Sequence, residues 1–261
     1  KESETKTFSL FQSEGVKFKS FITQKNRVIL LFLSVKLETN SNTAELNLMK
    51  KNQKEPKLNT GHNSVRSYAK RKVYEGFFSV EEHDLSYSKF DGTQSKVVTR
   101  GAIISSEAVI VLPYDPSNDR ILLVEQFRTG PYVRGDKSPW VLEPIAGLIE
   151  SNETPEEAGL REAEEEACLK LTHLELVAQS YPSPGISTEF FHQYIGITLL
   201  PETTDLISGL KRESEDIRSH IFCYTEFLEM IDKGKINVGP AILLGLWLSN
   251  NRERLKALYY N

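Results

Sequence analysis

The chain has 261 residues, 39% apolar and 26% charged, with a formal net charge of −4. That length suffices for one sizeable core, and that balance excludes a fibrous or wholly disordered chain. Two cysteines, Cys168 and Cys223, exclude a disulfide framework, and no Cys-x-x-Cys pair is present, so a reducing, cytoplasmic setting is the expectation.

The apolar run Val28–Val35 follows Lys25-Asn-Arg27 but is too short to span a bilayer. No small-x-small cleavage site follows it, so neither membrane association nor a secretory leader is expected. Met49 is the first methionine and reads as a native start, with residues 1–48 as upstream or tail sequence. Between Met49 and Lys72 eight Lys and Arg residues stand against one Glu, interrupted by Pro56, Asn59, Gly61 and Asn63. Residues 1–72 therefore read as a flexible, solvated N-terminal extension. Aromatic side chains are nearly absent from the basic stretch 50–72, so nucleic acid is not an expected partner.

Val73–Val80, Glu82–Phe90 and Ser95–Ile104 read as strands, with Asp91-Gly92 as a hairpin signal between the last two. Residues 73–107 are thus expected as an antiparallel N-terminal sheet and 108–261 as the main domain. There, Ala108–Leu112 reads as a strand stopped by Pro113, Asp115–Asp119 as a turn, and Ile121–Phe127 as the next strand. A loop from Gly147 leads into a helix opened by Thr154-Pro155-Glu156-Glu157. Thr154 suits the N-cap, Pro155 the first helical position, and Glu157 closes a capping box. Further strands are expected near Leu174–Gln179, Gln193–Leu199 and Asp216–Cys223. Helices are expected over Thr225–Lys233 and Pro240–Tyr259, the latter with Ile242, Leu243, Leu246, Trp247 and Leu255 as its core stripe. The fold class is α+β, without repeats.

From Glu150 to Glu166 there are eight Glu against one Arg. At helical spacing Glu162, Glu165 and Glu166 stand at i, i+3 and i+4 on one face, and like charges so placed repel by about 0.2–0.5 kcal/mol per pair. No Lys lies between Thr154 and Leu169. A hard divalent cation would relieve the crowding and suits phosphate chemistry, whereas the plainer alternative is a solvated acidic helix. Leu160, Ala163 and Ala167 share an adjacent face expected to pack on a sheet, and Arg161 is expected to pair with Glu153 or a neighbour. Phe77 and Phe78, adjacent on an expected strand, point to opposite faces, so one can enter the core while the other stacks on a base; both as core is the alternative. Arg100 and Arg128 suit a forked diphosphate contact or, alternatively, surface ion pairs. Glu189 reads as a substrate contact or a surface strand residue. His173 and His220 show no ligand spacing.

The run from Gly147 to Leu169 fits Gly-x5-Glu-x7-Arg-Glu-U-x-Glu-Glu-x-Gly-U, with U aliphatic, through Gly147, Glu153, Arg161, Glu162, Ala163, Glu165, Glu166 and Leu169. It resembles the Nudix box. Val73 to about Leu255 resembles the ADP-ribose pyrophosphatase branch of that superfamily, through Tyr74–Phe78, Val124–Arg128, Trp140–Gly147, Ser183-Pro184-Gly185 and Glu213–Arg218. The resemblance implies a Nudix fold, a mixed β-sheet core sandwiched by helices, with an N-terminal sheet exchanged in a homodimer. It implies Mg2+, with Mn2+ as the alternative, ligated by Glu162, Glu166 and the Ala146 carbonyl, with Glu165 alongside. The same carry-over puts the general base on the loop near Leu210–Asp216, at Glu213, with Glu215 as a metal-associated or rival carboxylate. Pro184 and Gly185 fall where this branch carries a substrate-selecting proline. The implied reaction is hydrolysis of ADP-ribose, or a related nucleoside diphosphate sugar, to AMP and ribose 5-phosphate. The alternatives are a pyrophosphatase for GDP-mannose or another sugar nucleotide, and a non-catalytic nucleotide sensor on the same fold. Two positions weaken the helix: Cys168 replaces a glycine that ends it in left-handed backbone, costing about 1 kcal/mol or more. Gly159 sits mid-helix, costing roughly 1 kcal/mol relative to Ala.

Overall fold

The structure, a computed structural model, describes residues 64–204, 206–210 and 215–260. The expectations for residues 1–63, including the Met49 start, lie outside them, as does Glu213. Three strands come first: β1 (Val65–Glu75), β2 (Ser79–Tyr87) and β3 (Val98–Ile104), an antiparallel meander. β1 begins within the stretch read as a solvated extension. Its side chains are almost all exposed, and its backbone ladder with β2 is flanked by charge pairs rather than by apolar alternation. Arg71 grips Asp84 at 2.6 and 3.0 Å and reaches Glu82 at 3.4 Å, while Lys70 meets Glu81 at 2.8 Å. The expected strand over Val73–Val80 is instead two strands with a turn at Gly76–Phe78, where Gly76 donates to the Phe78 carbonyl. The Asp91-Gly92 turn is present, with the Asp91 carboxylate accepting from the Thr93 N–H at 2.8 Å.

Among the described residues the main sheet has eight strands: β4 (Ala108–Asp115), β5 (Arg120–Phe127), β6 (Trp140–Glu143), β7 (Ile145–Leu148), β8 (His173–Ser180), β9 (Phe191–Ile197), β10 (Ile207–Ser208) and β11 (Ile217–Cys223). Its order is β10-β11-β5-β4-β9-β8, with β6 on β5 and β7 on β4; β4 and β9 run parallel, the other pairs antiparallel. Strand β4 passes through Pro113 rather than stopping there. On that edge its partner changes from β7, which pairs up to Val111, to β5, which starts at Tyr114. A missing N–H is tolerated at such a break in the ladder.

Helices α1 (Thr129–Arg134), α2 (Pro155–Ala167), α3 (Tyr224–Asp232) and α4 (Gly239–Tyr259) complete the described elements. One face of the sheet packs Leu112, Tyr114 and Leu123 against Phe227, Leu244 and Leu248 of α3 and α4. The other packs Val109, Val111, Val124 and Ile145 against Ala158, Ala163 and Ala167 of α2. The sheet is therefore sandwiched by helices, as expected. The buried stripe of α4 is Ala241, Leu244, Leu248 and Leu255, and Leu246 faces solvent. On α2, Leu160 is exposed, and Ala158 and Gly159 are buried in its place. Gly159 thereby has a packing reason: a Cβ there would meet Val111 and Val109 methyls at 3.2 and 3.3 Å.

Candidate active site

The acidic run is organised by its own caps. Thr154 Oγ1 accepts from the Glu157 N–H at 3.2 Å, and the Glu157 carboxylate accepts from the Thr154 N–H at 2.8 Å. The helix ends in left-handed backbone at Cys168 (φ 49°), as the glycine position of the pattern requires, with a non-glycine residue carrying the strain.

Arg161 is the cation of this face. Its guanidinium forks onto Glu153 at 2.8 and 3.0 Å and takes the Leu148 carbonyl at 3.1 Å, holding the loop to the helix as expected. It also reaches Glu162 at 2.7 Å and Glu165 at 3.2 Å, so two of the three crowded carboxylates have a partner on their own helix. Burial nonetheless pushes the Glu162 carboxyl above its ordinary value, opposed by Arg161. Gly147 makes room for it: a Cβ at Gly147 would stand 1.8 Å from Glu162 Oε1.

Glu166 is the exception. It is 2% exposed, and among the described residues its carboxylate accepts only the Ala146 N–H, at 3.2 Å. Burial, with the Glu162 and Glu215 charges adding, pushes its pKa up to about 8, against the pull of the Ala146 N–H and Arg128. In an extended strand the N–H and C=O of one residue leave on the same edge. The Ala146 carbonyl therefore lies on the Glu166 side of β7.

Glu215 is fixed by backbone: its Oε2 accepts from the Leu210 N–H at 2.9 Å. Arg128 donates through Nε to Glu143 at 2.7 Å, and its charge lowers the otherwise burial-raised pKa values of Glu143, Glu166 and Glu189. Its two terminal nitrogens have no protein partner among the described residues. Glu189 follows the turn at Ser183, whose carbonyl accepts from Ile186 and Ser187 and which contains Pro184 and Gly185. That turn is laced to β3 through Ile103 N–H to the Ile186 carbonyl, 2.7 Å, and Thr188 N–H to the Ile103 carbonyl, 2.9 Å.

Thus Ala146, Arg161, Glu162, Glu165, Glu166, Arg128, Glu189 and Glu215 converge. Phe77, Phe78 and Arg100 do not join them in this chain. They lie on the N-terminal sheet, where Arg100 contacts the Thr99 carbonyl and Phe78 packs on Tyr74 at 5.6 Å between ring centroids. Neither phenylalanine enters the core: they occupy the β1–β2 turn, and Phe77 is 92% exposed. Glu143 is a site residue that sequence reasoning missed; a lone acid inside the apolar stretch Trp140–Ile145 was its signal. His220 pairs with Glu125 at 2.8 Å and His173 stacks on Tyr259, both ordinary surroundings. A cavity of about 290 Å3 lined by Glu125, Trp140, Ile207, Asp216 and Arg218 lies on the opposite sheet face, since these alternate with Val124 and Ile217 beneath α2.

Among the described residues no three His, Cys, Asp or Glu side chains converge as a ready metal cage. Arg161 and the Ala146 N–H engage the oxygens instead. The donor set still fits a hard divalent cation: all are oxygens, one carboxylate is buried with a single neutral donor, and a Cβ-free cradle lies beneath another.

Residues 105–241 match the family model described as NUDIX domain. The chain belongs to the NUDIX family. Its relatives include proteins named ADP-ribose pyrophosphatase from Haemophilus influenzae and from Escherichia coli K12. The first is 37% identical over 186 residues, covering 70% of this chain and 85% of the relative. The second is 33% identical over 196 residues, covering 75% and 93%. A Yersinia enterocolitica protein named GDP-mannose pyrophosphatase is 34% identical over 134 residues, covering 51% of this chain and 69% of its own length. A solved structure titled as an ADP compounds hydrolase superposes with a TM-score of 0.54 at 19% identity, over 72% of this chain and 96% of that one, which shows the NUDIX fold.

Proposed function

We propose that this NUDIX protein is a Mg2+-dependent pyrophosphatase that hydrolyses ADP-ribose to AMP and ribose 5-phosphate. The observation that carries the reading is Glu166, a carboxylate buried against one N–H donor with Glu162 and Glu215 close enough to raise its pKa. Such a group is stabilised in its ionised form by a cation, and among the described residues no Lys or Arg donates to it. Glu162, Glu166 and the Ala146 carbonyl would hold the ion, with Glu215 beside them. When bound, it polarises phosphoryl oxygens and neutralises their charge.

The remaining roles belong to the chain itself. Glu143 holds Arg128 by its Nε, leaving the two terminal nitrogens for a forked contact with a diphosphate. Arg161 fixes Glu162 and Glu165 against the box loop. Glu213 is assigned the proton of the attacking water, with Glu215 as the fallback base. Glu189, Pro184 and Gly185 border the substrate, and the exposed ring of Phe77, with Phe78 and Arg100, binds its base and phosphates. The relatives' named activities support the nucleoside diphosphate sugar class, and the exposed aromatic turn of the N-terminal sheet supports a homodimer in which a partner uses it. The two free cysteines support a cytoplasmic setting; no helix among the described residues is long and apolar enough to cross a membrane.

A substrate panel with Mg2+ in 18O-labelled water tests the reading. ADP-ribose should be cleaved fastest, with the label on one monophosphate product. Preference for GDP-mannose would select the second reading, which the Yersinia relative favours, and no turnover of any sugar nucleotide would reject both. Glu213→Gln should lower kcat more than it alters KM, and an unchanged rate would move the base to Glu215.

A further inference from the structure

The last turn of an α-helix leaves carbonyls without intrahelical donors. At the end of α2, Cys168 N–H takes the Glu164 carbonyl and Leu169 N–H the Ala163 carbonyl, each at 3.0 Å. The carbonyl of Glu166, the residue whose side chain is the buried carboxylate, is taken from outside the helix by the Ser208 hydroxyl. Ser208 pairs with Ile217 across β10 and β11, and Ile217 is core beneath α2, so the hydroxyl is on the helix side of the sheet.

The next two residues carry this anchor to a second carboxylate. Gly209 has φ 101°, a left-handed value that suits glycine, and a Cβ there would stand 2.7 Å from the Glu215 Cβ. Leu210 donates to Glu215 Oε2 at 2.9 Å and accepts the Glu215 N–H at 3.3 Å. Three consecutive residues therefore clasp the helix end bearing Glu166, turn the chain, and grip Glu215. The charge of Glu215 is felt by both Glu162 and Glu166, so the clasp spans the acidic centre.

We propose that Ser208 is a positioning residue: its bond to the Glu166 carbonyl locks β10 to the box helix and sets the Glu215 carboxylate against Glu162 and Glu166. The left-handed Cys168 gives the tether its importance, because the helix terminus is strained where the family pattern has glycine. Loss of the hydroxyl leaves the buried carbonyl without its donor and frees the strand end, with Glu215, to shift against the helix. The proposal rests on the metal-dependent hydrolase reading.

The test compares wild type, S208A, S208T, E215Q and S208A/E215Q as full chains. Steady-state ADP-ribose hydrolysis with Mg2+ is measured, and Mn2+ binding is followed separately by electron paramagnetic resonance without substrate. S208A should lower both kcat and Mn2+ affinity roughly tenfold, the scale for groups that orient metal ligands, with KM changed less than about twofold. S208T should restore both. In the double variant the two losses should be far from additive, because Ser208 acts through Glu215. Wild-type Mn2+ affinity in S208A, fully additive losses, or a folded S208T as impaired as S208A would each overturn the proposal. A wild-type chain that binds Mn2+ but cleaves no sugar nucleotide would reject the hydrolase reading, and the Mn2+ measurements would still decide the role of Ser208.

Discussion

Replacing Glu166 by Gln removes a buried charge while keeping an oxygen for the Ala146 N–H. The folded-state pKa of about 8 stands above the ordinary carboxylate value of 4.5. The folded state therefore holds a proton that the unfolded chain has lost. Stability from this group is complete below pH 4.5 and drains away as pH rises to 8, by about 1.4 kcal/mol per unit. From pH 6 to pH 9 the wild type without metal should lose roughly 2–3 kcal/mol more than E166Q. For a domain of this size that is a relative Tm shift of about 4–12 °C. Thermal unfolding of both proteins in chelator, across that range, measures it. Excess Mg2+ at pH 8.5 should raise the wild-type Tm and leave E166Q unmoved. Parallel Tm–pH curves for the two proteins would refute the buried, uncompensated carboxylate.

Cys168→Gly should stabilise the chain by about 1 kcal/mol in urea titration, because glycine adopts left-handed backbone without a Cβ clash; a destabilised variant would show that the thiol packs usefully. Gly147→Ala should displace Glu162, whose Oε1 occupies the place of the new methyl, and cost turnover about 100-fold by misplacement; wild-type kinetics would remove Glu162 from the cradle. Arg161→Lys should cost roughly 1–3 kcal/mol in the same titration, since an ammonium reproduces neither the fork on Glu153 nor the simultaneous contacts to Glu162 and Leu148.

The helix of the site was legible because its signals are local: Thr154, Pro155 and Glu157 cap it within four residues. Strand β1 was not, because it alternates no apolar residues and depends on Asp84, Glu82 and Glu81 of its partner strand. The mid-helix Gly159 looked like a weakness from propensity alone. Its reason, the closeness of Val109 and Val111, is tertiary. The turn at Gly76–Phe78 is hidden in the sequence because Val73–Val80 is rich in apolar and aromatic residues throughout, so only the strand placement of Phe77 and Phe78 differs from expectation. The acidic face was plain from spacing, yet which glutamate is costly was not. Arg161 serves Glu162 and Glu165 but leaves Glu166, a choice made by burial beneath β7 rather than by sequence separation.

The N-terminal meander and the main sheet are held by different forces. Apolar layers on both faces stabilise the main sheet, whereas β1 is joined to β2 by its backbone ladder and by charge pairs such as the exposed Arg71–Glu82 and the half-buried Lys70–Glu81. Electrostatic reach falls from about 10 Å at 0.1 M salt to about 3 Å at 1 M, while apolar burial survives that change. Ionic strength should therefore act unevenly on this chain: concentrated salt should weaken the Arg71 pairs that flank the β1–β2 ladder while leaving that ladder and the carboxylate centre in place.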